Sequence, residues 1–579
     1  MLLAYHLIFR NYFPLANGRM GHDYVLTLGG FLDGFLWYKN NGFITPPWFT
    51  PSFCGGQALF ADPQSAFYSL PQFLTFIVDP LQAVYSAFLI FAGLGFWGMY
   101  LFSRRCLYMG RLSALVAATV FMFNGFYAHR IIIGHYGYQS FMLVPFIAYL
   151  LLKVPDSPLL SARSIRQSLI AGLAVAYWFH SGLTTLMIPA TLAVIGLACV
   201  MAISTREYIA KTFLVRGLVA GAVAIALSAS KLNANMALMS NFSRDYYPLP
   251  GVSDIGGLLT FVFQSLFYSS EHTYQTVTPL WKNMQWAAMP HELAYGLTPL
   301  PLLVMLVGAG AFALSKQSQL SFPAQDKSST RFPSIVLGAI LLVPMALLYY
   351  SPEWNSVLKN LPLIGSTTSP YRWLIIYIPL IAAVTGIIVK ASGKYKTWLA
   401  VITVVGIPLL NALESREYYQ QQDFDPTPIV SYYNAVRRGE ITPQITQVAD
   451  PKAPNGYSII DNGLFLTGIS PMRCYNPIYG YRLEKLQIEP LVPGPITSIT
   501  PSGSLNLHNP ACLVFPAENN CKLWDAFKAS QSSQLLNFAS YKPYPFERSS
   551  RQYVADWITF WTIFALSMTA VIFMFNRKQ

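Results

Sequence analysis

Four side chains that could take part in acid–base chemistry lie close together near the start of the sequence, between residues 19 and 74. They are His22, Asp23, Asp33 and Asp62. A carboxylate can act as a general base or stabilise positive charge that develops at a sugar carbon. His22 could orient the neighbouring Asp23 or face water. Each aspartate could equally cap a helix in a solvated loop, and the sequence leaves both interpretations open.

Positively charged side chains are predicted to lie on the same side of the protein as these acids. They are Arg130, His135, Lys231, Arg244 and Arg372. Such groups could hold a departing phosphate. Lys231 and Arg372 lie at the edges of apolar segments, where charge is costly and therefore often functional. Snorkelling of these two side chains to the membrane interface is the alternative explanation.

Two further pairs, Glu271–His272 and His291–Glu292, lie in the segment 240–293. They are weaker candidates for contacts with an acceptor molecule or for a metal ion. No cofactor and no set of metal ligands is predicted, because no Cys or His spacing resembles a zinc site. A divalent metal stays open as an alternative.

A helix is predicted immediately after Asp23, over residues 24–38. The apolar side chains that recur there at helical spacing are Leu28, Phe31, Leu32 and Phe35. This spacing is typical of an amphipathic helix that lies on a membrane face. Asp33 would be the weakest of the acidic candidates if it lies on the solvent face of that helix.

The composition excludes an ordinary soluble protein. Of the 579 residues, 54% are hydrophobic and only 11% are charged, and the mean hydropathy is +0.40. Soluble domains carry roughly 25% charged residues. Repeated apolar runs predict an all-α polytopic membrane bundle of about 11–12 spans. The first run, residues 1–9, is too short to span a bilayer alone, and no cleavable signal peptide is evident.

The net charge of +13 does not indicate nucleic-acid binding, because the excess is confined to one set of short loops. Those loops and the C-terminal tail carry 17 of the 38 Lys and Arg residues and three of the 25 acidic residues. Cytoplasmic loops of membrane proteins carry such an excess. The sequence therefore predicts a cytoplasmic C-terminus and a multi-pass protein of the bacterial inner membrane.

Three parts of the chain are distinguished. Residues 1–413 form the transmembrane module, with the candidate catalytic outer loop at 10–80. Residues 414–552 are predicted to form an extracytoplasmic domain of mostly β-strand and loop, with β-prone runs at 457–460, 464–466 and 512–515. Residues 553–579 form the final span and a basic tail.

Six cysteines are present, and four of them lie in regions predicted to be extracytoplasmic. These four are Cys54, Cys474, Cys512 and Cys521. Disulfides are chemically allowed in such a compartment. Cys512 and Cys521 are close in sequence within a loop-like stretch, and we predict that they form a disulfide.

Four stretches of the sequence resemble the YfhO-like family of bacterial membrane proteins, within the C-type (GT-C) glycosyltransferase superfamily. In chain order they are FCGGQALFADPQSAFYSLPQFL, GHYGYQSFMLVPFIAYLLL, HELAYGLTPLPLLVML and SPYRWLIIYIPLIAAVTG. Each stretch is degenerate by itself, and the resemblance rests on their order and spacing within residues 20–390. The four stretches do not include the domain at 414–552, to which no resemblance is assigned.

The resemblance implies a GT-C-like fold with a catalytic aspartate in the first outer loop, beside a juxtamembrane helix. It implies that Asp23 is the catalytic carboxylate, Asp62 a second acid and Arg372 a phosphate contact. The implied activity is an inverting glycosyltransferase. It would move a sugar from a polyprenyl-phosphate donor, held in membrane lipid, to an unknown glycan, lipid or polymer acceptor on the extracytoplasmic face.

The alternative function is a non-catalytic membrane protein that handles lipid-linked glycans, as a transporter or an assembly factor. A transporter favours charged residues that line positions in the middle of the membrane. Here the spans are nearly free of acids and the polar residues cluster on one face. The sequence therefore favours the transferase.

Overall fold

The computed structural model describes most of the chain. Its gaps are residues 22, 155–157, 159–160, 207–208, 243–248, 283–288, 315–327, 366, 368, 415–416, 422, 451–462, 473–475, 477–489 and 576–579. Two of the predicted site residues, His22 and Arg244, lie outside the described residues. Cys474 and the predicted β-prone run at 457–460 lie outside them as well.

Helices form most of the described chain. The α-helices are α1 (Leu2–Phe9), α2 (Tyr24–Asn41), α3 (Leu70–Leu74), α4 (Pro80–Arg105), α5 (Arg111–Met122), α6 (Gly125–Ile133), α7 (Val144–Leu152), α8 (Ala162–His180), α9 (Met187–Thr205), α10 (Ala210–Ser240), α11 (Ile255–Phe267), α12 (Ser270–Val277), α13 (Leu300–Leu314), α14 (Ser328–Leu348), α15 (Pro352–Lys359), α16 (Tyr377–Ala391), α17 (Lys396–Leu413), α18 (Glu417–Gln420), α19 (Thr427–Arg438), α20 (Ala511–Val514), α21 (Ser532–Ala539) and α22 (Ser550–Phe575).

The strands are short and form small separate sheets. They are β1 (Phe49–Thr50), β2 (Gln57–Ala58), β3 (Gly251–Val252), β4 (Trp281–Lys282), β5 (Gln447–Ala449), β6 (Ile469–Pro471), β7 (Gly494–Pro495), β8 (Ser504–His508) and β9 (Ala526–Lys528). The pairs β1–β2, β3–β4 and β8–β9 are antiparallel. In the three-stranded sheet, β5 lies in the centre, parallel to β6 and antiparallel to β7.

Eight helical segments in the described part of the chain are long and apolar enough to cross a membrane. They are Pro80–Arg105, Arg111–Ile133, Thr184–Thr205, Ala210–Ser240, Thr330–Leu348, Pro370–Ala391, Gly393–Leu413 and Ser550–Val571. Three shorter apolar helices are Tyr136–Leu152, Ile255–Phe267 and Leu300–Ala313. This agrees with a polytopic helical bundle. The predicted number of about 11–12 spans is higher because it counts segments shorter than the roughly 20 residues that a bilayer requires.

The helix α4 shows how the sequence sets the ends of these spans. The side chain of Asp79 accepts a hydrogen bond from the backbone N–H of Gln82 (3.0 Å), and Pro80 occupies the first turn. Both residue types are favoured at a helix N-terminus. The helix ends in Arg104 and Arg105, whose charges complement the helix dipole and suit a cytoplasmic boundary.

The structure shows the bonding state of five of the six cysteines. Cys512 and Cys521 form a disulfide, which confirms the predicted pair, and Cys54 is disulfide-bonded as well. Cys106, directly after the basic end of α4, and Cys199 are buried and form no disulfide with a described cysteine. Disulfides persist in oxidising compartments. The extracytoplasmic location of the 414–552 region stays a prediction.

The predicted helix after Asp23 is present as α2, but it does not lie on a membrane surface. Residues 31–38 are all buried, so no face of this part of the helix is exposed. The helices α3, α4 and α19 pack against α2. The prediction of a surface helix was wrong because the periodic apolar residues face the protein core, and neighbouring elements cover the other face.

The 414–552 region packs directly on residues 49–62 of the opening loop, the outer loop at residues 10–80. It shares one hydrophobic core with the transmembrane module. The backbone N–H of His508 donates to the carbonyl of Gly55 (2.8 Å). A Cβ at Gly56, where φ is +120°, would come within 2.8 Å of the His508 carbonyl. Only glycine therefore permits this close approach. The opening loop is held between the membrane helices and the 414–552 region.

Two of the predicted β-prone runs in this region are helical. Leu464–Thr467 is a 3-10 helix and Ala511–Val514 is the short helix α20. Both runs are apolar and four residues long, and their periodicity cannot distinguish a strand from a buried helical turn. The region combines short strands with short helices and loops.

The last helix, α22, is fixed to α10 by a network of polar side chains. Asp556 accepts hydrogen bonds from Ser230 Oγ (2.6 Å) and Gln552 Nε2 (2.7 Å), and it pairs with Arg548 (2.6 Å). The hydroxyl of Thr559 accepts from the backbone N–H of Ser230 (3.0 Å). The backbone carbonyl of Ser230 accepts from Gln552 Nε2 (3.0 Å). These hydrogen bonds across the helix interface hold α22 at a defined position on α10.

Asp33 lies inside the protein, in the contact between α2, the opening loop and the 414–552 region. Its carboxylate accepts hydrogen bonds from Thr50 Oγ1 (2.6 Å) and from the hydroxyl of Ser52. The Ser52 hydroxyl also hydrogen-bonds that of Tyr541 (2.8 Å). Burial raises the pKa of Asp33 to about 6, although these two hydrogen bonds act in the opposite direction. Asp33 is therefore a buried junction residue, and the solvent-face position considered for it is wrong.

We expect Asp33 to make the folded protein less stable as the pH rises through about 6. The carboxyl titrates at 3.8 when unfolded and at about 6 when folded, so its favourable contribution is complete below 3.8 and disappears above 6. The difference amounts to about 3 kcal/mol. Unfolding of wild type and Asp33→Asn in one detergent, between about pH 4 and about pH 8, measures it. A stability difference between the two proteins that does not change with pH would contradict this expectation.

Candidate active site

The candidate site is built around the C-terminal end of α6. This helix begins at Asn124, whose side chain accepts a hydrogen bond from the backbone N–H of Tyr127 (2.9 Å). It ends at Gly134, which has a φ of +106° in the left-handed region. The helix carries Arg130 into the protein interior, where the side chain is 0% exposed. The chain then turns sharply and presents His135.

Close backbone packing brings the opening loop against this turn. The backbone N–H of Asp23 donates to the carbonyl of Ile133 (3.1 Å), and the Tyr24 hydroxyl donates to the carbonyl of Ile131 (2.6 Å). A Cβ at Gly134 would lie 2.8 Å from the carbonyl carbon of Asp23. A side chain at position 134 would therefore push Asp23 away from His135.

Asp23 and His135 form a direct pair. His135 Nε2 lies 2.5 Å from Asp23 Oδ2, and the two side chains are 18% and 29% exposed. The backbone N–H of His135 donates to the carbonyl of Arg130 (2.8 Å), which fixes the start of the loop after α6. The pair is accessible from outside and rigidly placed, as a general base requires.

Glu292 lies between two arginines on the inner side of this pair. Arg130 Nη1 lies 2.6 Å from Glu292 Oε2. Arg372 Nε donates to Oε2 (3.1 Å) and its Nη2 to Oε1 (2.5 Å), a bidentate pair. Arg130 Nη2 also donates to the backbone carbonyl of Glu292 (2.8 Å). The side chains of Arg372 and Glu292 are 21% and 9% exposed, so this cluster extends from the core to the accessible surface.

Backbone contacts bring the Glu292 segment to α6. Gly125 and Gly296 approach so closely that a Cβ on Gly125 would lie 2.8 Å from the Cα of Gly296. The hydroxyl of Tyr295 donates to the carbonyl of Tyr371 (2.5 Å), beside Arg372. These contacts place the three charged groups at the ends of three different segments of the chain.

Burial and charge act in opposite directions on Glu292. Burial alone would raise the pKa of its carboxyl, but Arg130 and Arg372 outweigh that effect and hold the pKa well below its usual range. Burial holds the pKa of His291 well below its usual value, and the neighbouring His135 adds to this effect. Glu292 is therefore ionised at this site, and His291 is neutral.

Tyrosines complete the surroundings of the charged groups. The guanidinium groups of Arg130 and Arg372 lie 5.9 Å and 5.6 Å from the ring centroid of Tyr138, within range of a cation–π interaction. The Tyr418 hydroxyl hydrogen-bonds His291 Nδ1 (2.8 Å). The beginning of the 414–552 region thus contributes directly to the site.

Three groups at the site are possible metal ligands. His135, His291 and Glu292 each offer one ligand atom, and these atoms lie within 4.8 Å of one another. Imidazole nitrogens with a carboxylate oxygen are typical ligands of zinc. However, both carboxylate oxygens of Glu292 already contact guanidinium groups. The spacing of the three groups therefore suits a metal ion, but the positive charge of the two guanidinium groups around Glu292 does not.

Lys231 and Asp62 belong to a second cluster, under the opening loop. Lys231 Nζ donates to both the carbonyl and the hydroxyl of Ser65 (2.9 Å each). Asp62 accepts from the backbone N–H of Gln64 (2.7 Å) and from Asn476 Nδ2 (3.1 Å). Lys231 is 2% exposed and therefore contacts protein rather than lipid. Contacts among the described residues place Lys231 and Arg372 in different clusters, so a common role of the two in holding a phosphate stays a prediction.

The remaining predicted residues lie at different distances from the centre of the site. Glu271 Oε1 accepts a hydrogen bond from the backbone N–H of Tyr418 (2.8 Å). The hydroxyl of Tyr418 contacts His291, so Glu271 is linked to the site through this tyrosine. His272 is exposed and stacks on the ring of Tyr268 (5.3 Å between centroids). Asp33 lies in the junction described above. The structure thus gathers Asp23, His135, Arg130 and Arg372.

Sequence reasoning gave Glu292 too little weight. It appeared only as a member of the weaker pair His291–Glu292, although the structure makes it the common partner of Arg130 and Arg372. The available signal was its position directly before an apolar run, where an unpaired acid would be costly. Tyr138 and Tyr418 gave no such signal, because tyrosine is common throughout this sequence.

No family model matches the sequence, and no curated protein matches it. Among solved structures, the chain is similar to the crystal structure of the Archaeoglobus fulgidus oligosaccharyltransferase in complex with Zn and sulfate. The match has 14% sequence identity and a TM-score of 0.40, and it covers 81% of this chain and 61% of that one. The chain thus spans about three-fifths of the length of that protein. A similarity this weak establishes neither a shared family nor a shared function.

Proposed function

We propose that the protein is an inverting glycosyltransferase that moves a sugar from a polyprenyl-phosphate donor to an acceptor hydroxyl on the outer side of the membrane. The observation that carries the proposal is the accessible Asp23–His135 pair (2.5 Å) beside the Arg372–Glu292 pair. A carboxylate and a fixed cation, both at the outer end of a membrane bundle, suit the transfer of a sugar from a lipid phosphate.

Asp23 would accept the proton of the acceptor hydroxyl as its oxygen attacks the anomeric carbon of the sugar. The new carbon–oxygen bond forms as the bond between that carbon and the phosphate oxygen breaks. The polyprenyl phosphate leaves with the bonding electron pair. His135 orients the Asp23 carboxylate through its Nε2 atom, and the resulting configuration at the sugar carbon is inverted.

Arg372 would contact the departing phosphate. Its Nε and Nη2 atoms are bound to Glu292, which fixes the plane of the guanidinium group, and the side chain remains 21% exposed. A cation that is already oriented stabilises the charge developing on the phosphate without reorganisation during the reaction. Arg130 is fully buried and acts through Glu292 rather than on substrate.

The test is the transfer of a labelled sugar from synthetic polyprenyl-phosphate sugars by the purified protein in detergent, with membrane extracts as the source of acceptor. Protein in which Asp23 is replaced by Asn is the matched control. We expect a labelled product that depends on the polyprenyl-phosphate donor and on Asp23. Tight binding of the donor without any product, across several donor sugars, would instead favour the non-catalytic lipid-linked-glycan protein.

A further inference from the structure

The charges around Glu292 differ from those of a usual metal site. Its Oε2 atom contacts Arg130 Nη1 (2.6 Å) and Arg372 Nε (3.1 Å), and its Oε1 atom contacts Arg372 Nη2 (2.5 Å). Two of the roughly four acceptor positions of the carboxylate are thus taken by hydrogen bonds from Arg372, and Arg130 Nη1 adds a close ion contact. The two imidazoles nearby, His135 and His291, are held 5.2 Å apart between ring centroids.

We propose that Arg130 and Arg372 take the place of a divalent cation at this site, and that they prevent His135, His291 and Glu292 from binding one. The carboxylate that would attract a metal ion is already neutralised, and two fixed positive charges face the position that the ion would occupy. The first half of the proposal rests on the proposed function, because a guanidinium group then meets the phosphate of the donor and transfer is independent of metal.

The geometry explains why the arginines dominate. Arg130 is 0% exposed and donates a hydrogen bond to the Glu292 backbone carbonyl (2.8 Å) in addition to its ion contact with the carboxylate. Its displacement by a metal ion would leave a buried guanidinium charge without a partner. Arg372 binds through two parallel hydrogen bonds, the arrangement in which arginine and carboxylate pair best. A hydrated metal ion would have to displace both groups and lose its own water.

This arrangement predicts that removal of one arginine creates a metal site. In Arg372→Gln, Glu292 keeps Arg130 as its counter-charge, and its Oε1 atom, 3.8 Å from His291 Nε2, loses its guanidinium partner. His135, His291 and Oε1 can then bind Zn²⁺ together. The double variant Arg372→Gln/His291→Ala lacks one ligand and serves as the matched control, and Arg372→Lys keeps the positive charge.

The experiment is equilibrium dialysis of each purified protein against Zn²⁺, followed by metal analysis. We expect wild type and Arg372→Lys to bind no more Zn²⁺ than His291→Ala does. Arg372→Gln should bind about one ion more than its double variant. Chelation of metal from the wild type should leave sugar transfer unchanged.

Stoichiometric Zn²⁺ in wild type that disappears in His291→Ala would overturn the proposal, and so would a folded Arg372→Gln that gains no Zn²⁺. The comparison between wild type and His291→Ala needs no change at Arg372, so it decides the matter even if Arg372→Gln does not fold. The dialysis uses no sugar donor. Its result is therefore separate from the success or failure of the proposed transferase activity.

Discussion

Replacement of Asp23 by Asn is expected to lower the rate of sugar transfer by roughly 100-fold or more, the scale of losing a general base. Asn keeps the size of the side chain and can still hydrogen-bond His135, so the turn after α6 should remain intact. The loss should appear in kcat, because the proton is accepted only as the acceptor attacks. The measurement is transfer of labelled sugar by purified variants in detergent.

Asp62→Asn is the comparison for this variant. Asp62 lies in the same opening loop and is 7% exposed, but its carboxylate accepts hydrogen bonds from Gln64 and Asn476 rather than meeting a histidine. We expect it to cost less activity than the change at Asp23. Full activity of a normally stable Asp23→Asn protein would remove Asp23 from the mechanism and make Asp62 the next candidate.

Replacement of Glu292 by Gln is expected to destabilise the protein by about 3–5 kcal/mol, the scale of breaking a buried ion pair from one side. The variant would leave Arg130, which is 0% exposed, without a counter-charge and Arg372 without its bidentate partner. The measurement is unfolding of wild type and variant in the same detergent at neutral pH.

The double variant Glu292→Gln/Arg372→Gln separates charge from packing. It removes one positive and one negative charge, so part of the lost stability should return relative to Glu292→Gln alone. If Glu292→Gln unfolds like wild type, or if the second substitution adds its full cost to the first, the three charges do not form the interdependent cluster described here.

The sequence was sufficient to predict a bundle of membrane helices, though not their number, because long apolar runs are a local property. It also placed α2 correctly along the chain. It did not reveal that α2 is enclosed, because its second face is covered by α19, which lies some 400 residues later. The role of Asp33 was concealed for a similar reason. The Ser52 hydroxyl, which donates to Asp33, also hydrogen-bonds Tyr541, which lies far away in the sequence.

The site was predictable in its residue types and not in its pairings. Acids and cations on one predicted face suggested Asp23, Arg130, His135 and Arg372, and the structure brings these four together. Their arrangement depends on close backbone contacts, such as Gly134 against Asp23, that leave no periodic trace in a sequence. Long-range pairings of this kind could therefore not be predicted from the sequence.

The anchoring of α22 on α10 has a consequence for the order in which the protein is made. Ser230, whose backbone and hydroxyl groups bind Gln552, Asp556 and Thr559, directly precedes Lys231, which holds the opening loop through Ser65. The ribosome makes Gln552 322 residues after Ser230. At about 5–20 residues per second, that interval lasts roughly 15–60 s. The contact that supports Lys231 and the opening loop from α22 is thus completed only after the described helices between α10 and α22 have been made.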